Sequence, residues 1–409
     1  MMTKKLSILY VTYEYPNLNG SGGGGGIANV YFDLTRRLAE LGHDIWVITH
    51  ANDQEQKYEQ NGVNVWRIPS DPTKSDTLVR VKSRSKAVDK AIRSLLKKKQ
   101  FDIIQFPEFN GEGSFFLKSG RAFKKHSRPI TIIRLHSSTK PYKKMNKILT
   151  KDESCILKLE EEALNLCDAV ISPCDATWTA VKRTMNINRK PFYVIPNSID
   201  TQLFVPVSQP PDEQPFVFGF IGKLSHPKGV DTIVDAFASL VRENPEKNFQ
   251  LVLIGRDKFR HHPYGSFDRW VSERIPKSVQ QRITVKRYIS RNKLVNEYQQ
   301  FHTFLFASRY ENFPNTLMEA MSCGLPVITS QVGGVPELLG KDHLNLTFEA
   351  GNTDELSQAM LRMMSDSKLR QKAGAFNRQR IERQFSTEYI TRHCLEVYKR
   401  LMKSFKREE

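Results

Sequence analysis

Two Rossmann-like α/β domains are expected from this sequence of 409 residues. Apolar runs of strand length alternate with amphipathic helical stretches. The alternation breaks at a polar, proline-rich segment, VSQPPDEQP (207–215), and then restarts. The chain is also long enough for two ordinary domains. The expected division is 1–206, 207–385 and a last helix, 386–409, packing back on the first domain.

In the first half, LSILYVTY (6–13) reads as a strand, NVYFDLTRRLAELG (29–42) as a helix and DIWVITH (44–50) as a strand. Val30, Leu34, Leu38 and Leu41 recur at helical spacing, and Gly42 ends the helix. VNVWRI (63–68), a basic helix over 76–99, FDIIQF (101–106), PITIIRLH (129–136), a helix over 152–166 and DAVISP (168–173) follow. The second half gives FVFGFIG (216–222), a helix 229–243, FQLVLIG (249–255), ITVKRYI (283–289), a helix 291–301, TFLFAS (303–308), a helix 315–323 and LPVITS (325–330). A helical stretch over 353–383 precedes the last helix. Ligands of such sheets bind at the carboxyl ends of the strands, here expected in a cleft faced by both domains.

Composition narrows the class. With 39% apolar and 10% aromatic residues, the chain can build full cores. No stretch reaches the roughly 18 consecutive apolar residues of a membrane span. The five scattered cysteines fit a reducing compartment and lack metal-ligand pairing. Residues 74–147 hold 20 Lys and Arg against 5 Asp and Glu, so most of the net charge of +18 lies there. That segment suits an anionic surface such as a bilayer. It has few interleaved aromatic residues and no recognition-helix pattern, which argues against nucleic acid.

Four groups of residues carry the chemistry. In ENFPNTLMEAMSCGLPVI (311–328), Glu311 follows a strand and Pro314 suits a first helical turn. The amides of Asn315, Thr316 and Leu317 then form an anion site, and Glu319 leans back toward it. Carboxylates there suit sugar or ribose hydroxyls. In FIGKLSHPKG (220–229), Lys223 and Lys228 lie at a strand end beside a helix start, a pairing that suits a diphosphate. Five consecutive glycines, including Gly25 and Gly26, open a helix and let backbone approach a ligand. A dinucleotide site is disfavoured, because Ile48, Thr49 and His50 end the second strand where an acidic residue is needed. His136 ends a central strand, and Glu108 and Glu112 follow the one before it. No Asp-x-Asp occurs, so neither a metal nor a cofactor is expected.

Together these segments resemble the retaining glycosyltransferases of family 4, with their two-domain GT-B fold. The likeness is carried by ENFPNTLMEAMSCGLPVITSQVGGVPEL (311–338), GKLSHPKG (222–229), the glycines at 25–26 with LAELGHDIWVIT, and VIPNSIDTQLFVP (194–206). The resemblance implies that Glu311 contacts the donor sugar's hydroxyls and Glu319 the nucleotide ribose. Lys223 and Lys228 would bind the diphosphate, and the amides at Asn315, Thr316 and Leu317 would cradle phosphates and sugar. His136 would lie near the sugar's C6 end, with Gly25 and Gly26 beside phosphate and acceptor. Glu311, His136 and Lys228 are thus the catalytic candidates, and Glu108 and Glu112 acceptor-side ones. Lys223 stands where the family usually has arginine.

The implied activity is metal-independent, retaining transfer of a sugar from a UDP- or GDP-sugar to a glycan or lipid-linked acceptor. The implied setting is bacterial envelope polysaccharide synthesis at the cytoplasmic face of the membrane. The alternatives are transfer to a small soluble acceptor and, further off, a nucleotide-sugar enzyme that is not a transferase, such as an epimerase. An epimerase needs an acid/base pair about the sugar, which the sequence does not display.

Overall fold

The computed structural model describes residues 5–17, 25–51, 54–69, 77–119, 128–136, 150–207, 215–259 and 263–407. It divides into two units, 1–198 with 387–409, and 199–386. The expected boundaries were 206/207 and 385/386. Residues 199–207 go with the second unit because Phe204 is buried there. The Phe204 carbonyl accepts from Ser322 Oγ at 2.7 Å and from Arg378 Nη1 at 2.8 Å. Most of the expected linker, 208–214, lies outside the described residues.

The first unit is built on strands β1 (Ser7–Val11), β2 (Asp44–Ala51), β3 (Gln56–Gln60), β4 (Val63–Pro69), β5 (Ile103–Pro107), β6 (Ile130–Arg134), β7 (Ala169–Ser172) and β8 (Phe192–Val194). Their order in the sheet is β3-β4-β2-β1-β5-β6-β7-β8. All neighbours are parallel except β3 and β4. Both faces are buried, so Leu9 and Val11 serve one core and Ile8 and Tyr10 the other. The first face is covered by Val88, Ile92, Leu157, Leu164, Trp178 and Val181 from three helices. The second is covered by Tyr31, Leu34 and Leu38 of helix Gly26–Glu40 and by the C-terminal helix, Thr387–Arg407. That helix seats Ile390, Cys394, Val397, Tyr398 and Leu401 in the core, as expected of a helix packing on the first domain.

The second unit is a wholly parallel sheet of β9 (Phe216–Ile221), β10 (Phe249–Ile254), β11 (Ile283–Lys286), β12 (Thr303–Phe306), β13 (Val327–Ser330) and β14 (Leu346–Phe348). The order β11-β10-β9-β12-β13-β14 reverses direction between β9 and β12. The loops that follow those two strands therefore diverge at a topological switch point, the usual ligand position in such sheets.

Several local expectations are corrected. Leu41 is 47% exposed and caps its helix, so the apolar stripe ends at Leu38. β3 is unexpected, because QKYEQ is a polar edge strand without alternation. The stretch 353–383 is two helices, broken at Asp366, whose Oδ1 accepts from Leu369 N at 2.8 Å. Pro314 is not in the first turn but precedes it, extended at φ −83° and ψ 113°.

Leu401→Ala should destabilise the first unit by about 2–5 kcal/mol, the usual cost of a buried Leu→Ala change. Leu41→Ala should stay within about 0.5 kcal/mol, as surface changes do. Urea denaturation followed by tryptophan fluorescence distinguishes the two.

Candidate active site

In the second unit, the loop after β9 carries Lys223 and then a single 3-10 turn, His226–Lys228, closed by Gly229. Gly229 has φ +67°, and a Cβ there would lie 1.8 Å from the Ala307 carbonyl oxygen. Only glycine lets this turn sit against the end of β12. The loop after β12 carries Arg309, Glu311 and Asn312. Lys228 Nζ makes a close ion pair with Glu311 Oε2, both partly exposed. Two residues 83 positions apart thus meet at the switch point. Lys223 is exposed and has no ion pair among the described residues.

Arg309 holds the two loops together. Its guanidinium forks onto Asp231, with Nη1 donating to Oδ1 at 2.8 Å and Nη2 to Oδ2 at 2.7 Å. Nη1 also donates to the His226 carbonyl at 2.5 Å, and the Arg309 N–H to the Pro227 carbonyl at 2.9 Å. Paired parallel bonds of this kind fix geometry as well as energy. Neither Arg309 nor Asp231 stands out in the sequence. The available signal is an arginine two residues before Glu311 and an aspartate three after Lys228.

A second contact fixes Glu311 from behind. Gly334 N–H donates to the Asn312 carbonyl at 2.8 Å. Gly333 is at φ +54°, and a Cβ on it would fall 1.6 Å from the Glu311 carbonyl oxygen. The GG of 333–334 is therefore a seat for the Glu311 loop.

Helix Asn315–Ser322 begins just beyond. Its first turn closes with Met318 N–H on the Pro314 carbonyl at 3.2 Å, so the amides of Asn315, Thr316 and Leu317 precede the ladder. Leu317, Ala320 and Met321 are fully buried. Glu319 is not displayed as openly as its partner in the motif. It is 5% exposed, and its Oε2 accepts from Tyr298 Oη at 2.7 Å. Burial and the Glu319 charge push the Tyr298 phenol well above its ordinary range.

The first unit gathers its candidates at the carboxyl end of its own sheet. His136 follows β6. Its backbone N–H donates to Glu108 Oε2 at 2.7 Å, and its Nε2 lies 3.0 Å from Tyr31 Oη. Burial, and then the Arg134 guanidinium, hold the imidazole well below its usual pKa, so it is neutral. Arg134 is itself buried and donates from Nη2 to the Ile195 and Pro196 carbonyls, each at 3.0 Å. Glu108 is fully buried behind His136, where it positions that backbone. Glu112 is also buried, with Oε1 2.9 Å from His50 Nε2. Its backbone carbonyl accepts from Ser85 Oγ at 2.8 Å. Both glutamates, expected on the acceptor side, are thus enclosed. His50, read only as the absence of an acidic residue, is the partner of one.

Gly25 caps helix Gly26–Glu40, but its N–H donates to Glu14 Oε2 at 2.5 Å. A carboxylate of the chain therefore occupies this helix start, and nothing in the sequence marks Glu14 for that place. The rest of the glycine run, 22–24, lies outside the described residues.

A GT-B glycosyltransferase is what these two sheets and their strand-end residues define. The Glycosyltransferase Family 4 profile matches residues 24–203, and the Glycosyl transferases group 1 profile matches 204–380. The chain belongs to this family. It is 24% identical over 351 residues to a phosphatidylinositol N-acetylglucosaminyltransferase of Arabidopsis thaliana, covering 83% of this chain and 70% of that one. Its fold is that of the sucrose-phosphate synthase of Thermosynechococcus elongatus, with TM-score 0.81 and 20% identity, covering 98% and 100% of the two chains. Anabaena Alr3699/HepE, solved in complex with UDP and glucose, superposes with TM-score 0.70 and 18% identity, covering 96% and 99%.

Two substitutions test the staple. Arg309→Lys replaces a fork by a point charge and should lower turnover at least about tenfold. Gly333→Ala displaces Glu311 on a scale of an ångström and should cost about 10²-fold. Both are read as turnover of the nucleotide sugar that stabilises the protein, with melting temperature recorded alongside.

Proposed function

We propose that this glycosyltransferase moves a sugar, with retention, from a nucleoside-diphosphate sugar to a glycan or lipid-linked acceptor, without a divalent metal. The observation that carries the reading is the Lys228–Glu311 pair at the β9/β12 switch point. A diphosphate is the natural competitor for Lys228, and the sugar's hydroxyls for Glu311. Lys223 and the first-turn amides of helix Asn315–Ser322 supply further positive ends. These groups stabilise charge as the nucleoside diphosphate leaves, the task a metal performs elsewhere.

In this reading Glu319 meets the ribose from its buried position, held by Tyr298. His136 gives a neutral imidazole to the donor sugar, with Gly25 and Gly26 beside phosphate and acceptor. The acceptor hydroxyl attacks from the face that the diphosphate leaves, and a phosphate oxygen takes its proton. UDP or GDP is the nucleotide proposed. The solved complex of Anabaena Alr3699/HepE with UDP and glucose supports the first.

A uridine or guanosine diphosphate should raise the melting temperature equally with and without EDTA. Loss of that shift in EDTA would refute metal independence. Glu311→Ala and Lys228→Ala should each lower turnover at least roughly 10²-fold with the fold intact. Near-normal turnover in either would place the donor elsewhere.

A lipid-linked acceptor is favoured by charge. On helix Thr77–Leu96, Val79, Lys82, Lys86 and Lys90 are exposed and fall on one face at helical spacing. Each basic residue near an anionic bilayer contributes on the order of 1 kcal/mol, so a few suffice for reversible docking. Much of the basic segment, 120–127 and 137–147 included, lies outside the described residues. No described helix is long and apolar enough to cross a membrane. The proposed setting is peripheral, at the cytoplasmic face of a bacterial membrane, in polysaccharide synthesis. The phosphatidylinositol in the name of the Arabidopsis relative favours a lipid acceptor. Sucrose phosphate in the name of the Thermosynechococcus structure favours the second reading, a small soluble one. Cosedimentation should rise with the anionic-lipid content of liposomes and fall when Lys82, Lys86 and Lys90 become glutamate. Binding indifferent to both would leave the soluble acceptor.

A further inference from the structure

A file of buried hydrogen bonds crosses the first unit from the C-terminal helix to His136. Tyr10 Oη on β1 lies 3.1 Å from Tyr398 Oη, on helix Thr387–Arg407. Tyr398 Oη donates to Gln105 Oε1, on β5, at 3.0 Å. Gln105 Nε2 donates to Tyr31 Oη at 3.4 Å, and Tyr31 Oη lies 3.0 Å from His136 Nε2. Tyr10, Gln105, Tyr31 and Tyr398 are all fully buried. Water does not offer these groups alternative partners, so each proton must be placed within the file.

The placement has one consistent direction. A phenol has one proton to give. Tyr398 gives its proton to Gln105, so Tyr10 must donate to Tyr398. Tyr31 receives from the Gln105 amide, so its own proton goes on to His136. His136 Nε2 is then an acceptor, and the neutral imidazole carries its proton on Nδ1. The amide of Gln105 sets the polarity, and Tyr398 holds that amide in its orientation by occupying Oε1.

We propose that Tyr398 is a positioning residue for the transfer reaction: through Gln105 and Tyr31 it fixes His136 as the Nδ1–H tautomer and presents that N–H as a hydrogen-bond donor. The inference rests on the reading that His136 serves the donor sugar. It gives the C-terminal helix a part in the chemistry beyond covering the sheet. Without Tyr398 the Gln105 amide is free to turn over, Tyr31 can donate to it, and His136 then moves its proton to Nε2. Packing at Cys394 and Val397 on the same helix does not depend on the phenolic hydroxyl.

The test is Tyr398→Phe, made alongside Gln105→Met, which interrupts the same file one step nearer His136. The full-length protein is labelled with 15N in its histidine rings, and the His136 signals are assigned by their loss in His136→Gln. The wild type should show the Nδ1–H tautomer, and both variants a mixture or the Nε2–H form. Turnover should fall by about three- to tenfold, the scale of one hydrogen bond, with KM for the donor unchanged. Unaltered His136 signals in either folded variant would overturn the proposal. So would a turnover loss that tracks a lower melting temperature while the tautomer stays fixed. Wild-type turnover in His136→Gln would instead remove His136 from the reaction, and the tautomer shift would still report on the file.

Discussion

The donor-binding unit depends on the fork between Arg309 and Asp231. β9 and β12 are neighbours in the sheet, yet the loops that leave them diverge at the switch point. A loop needs partners to hold a geometry, and here one guanidinium supplies several, through Asp231 and the backbone of 226–227. With the loops fastened, Lys228 and Glu311 meet. Gly229 and Gly333 work to the same end, since each allows an approach to neighbouring backbone that a Cβ would forbid. The charged pair is a product of this staple rather than a support of the fold. It is partly exposed, and pairs of that kind add little stability.

The first unit solves its problem by burial instead of by a surface fork. Its strand-end groups are enclosed: Glu108 under the His136 backbone, Glu112 against His50, and Arg134 against the carbonyls of 195 and 196. Buried polar groups are costly unless satisfied, and once satisfied they are rigid. A neutral His136 follows from the same enclosure, because burial and a nearby guanidinium both disfavour its charged form. One unit thus presents charges at its surface, and the other presents neutral, oriented groups.

Much of this was legible in the sequence. The two runs of β-α alternation announced both sheets, because a parallel strand buried on both faces reads as a continuous apolar run. Glu311, Lys228 and the helix start at Asn315 could be read because each sits at a fixed offset from such a run. What escaped has a common cause. Arg309–Asp231, His50–Glu112 and Glu14–Gly25 join residues 78, 62 and 11 positions apart, and nothing local in either partner announces the other. Exposure was misjudged for the same reason. Glu108 and Glu319 look like surface carboxylates in a string of letters, and only the packing of Tyr298 and the His136 turn reveals them as enclosed. The strand β3 was lost to its polar composition, and Leu41 was gained wrongly because periodicity does not mark where a helix stops.

The central claim is that Lys228 and Glu311 receive the donor. A crystal structure of the protein with a bound nucleoside diphosphate tests it most directly. The account predicts a phosphate oxygen within about 3 Å of Lys228 Nζ, the distance of a charge-assisted hydrogen bond, with Glu311 parted from that lysine. A nucleotide seated elsewhere, with the Lys228–Glu311 pair intact, would contradict it.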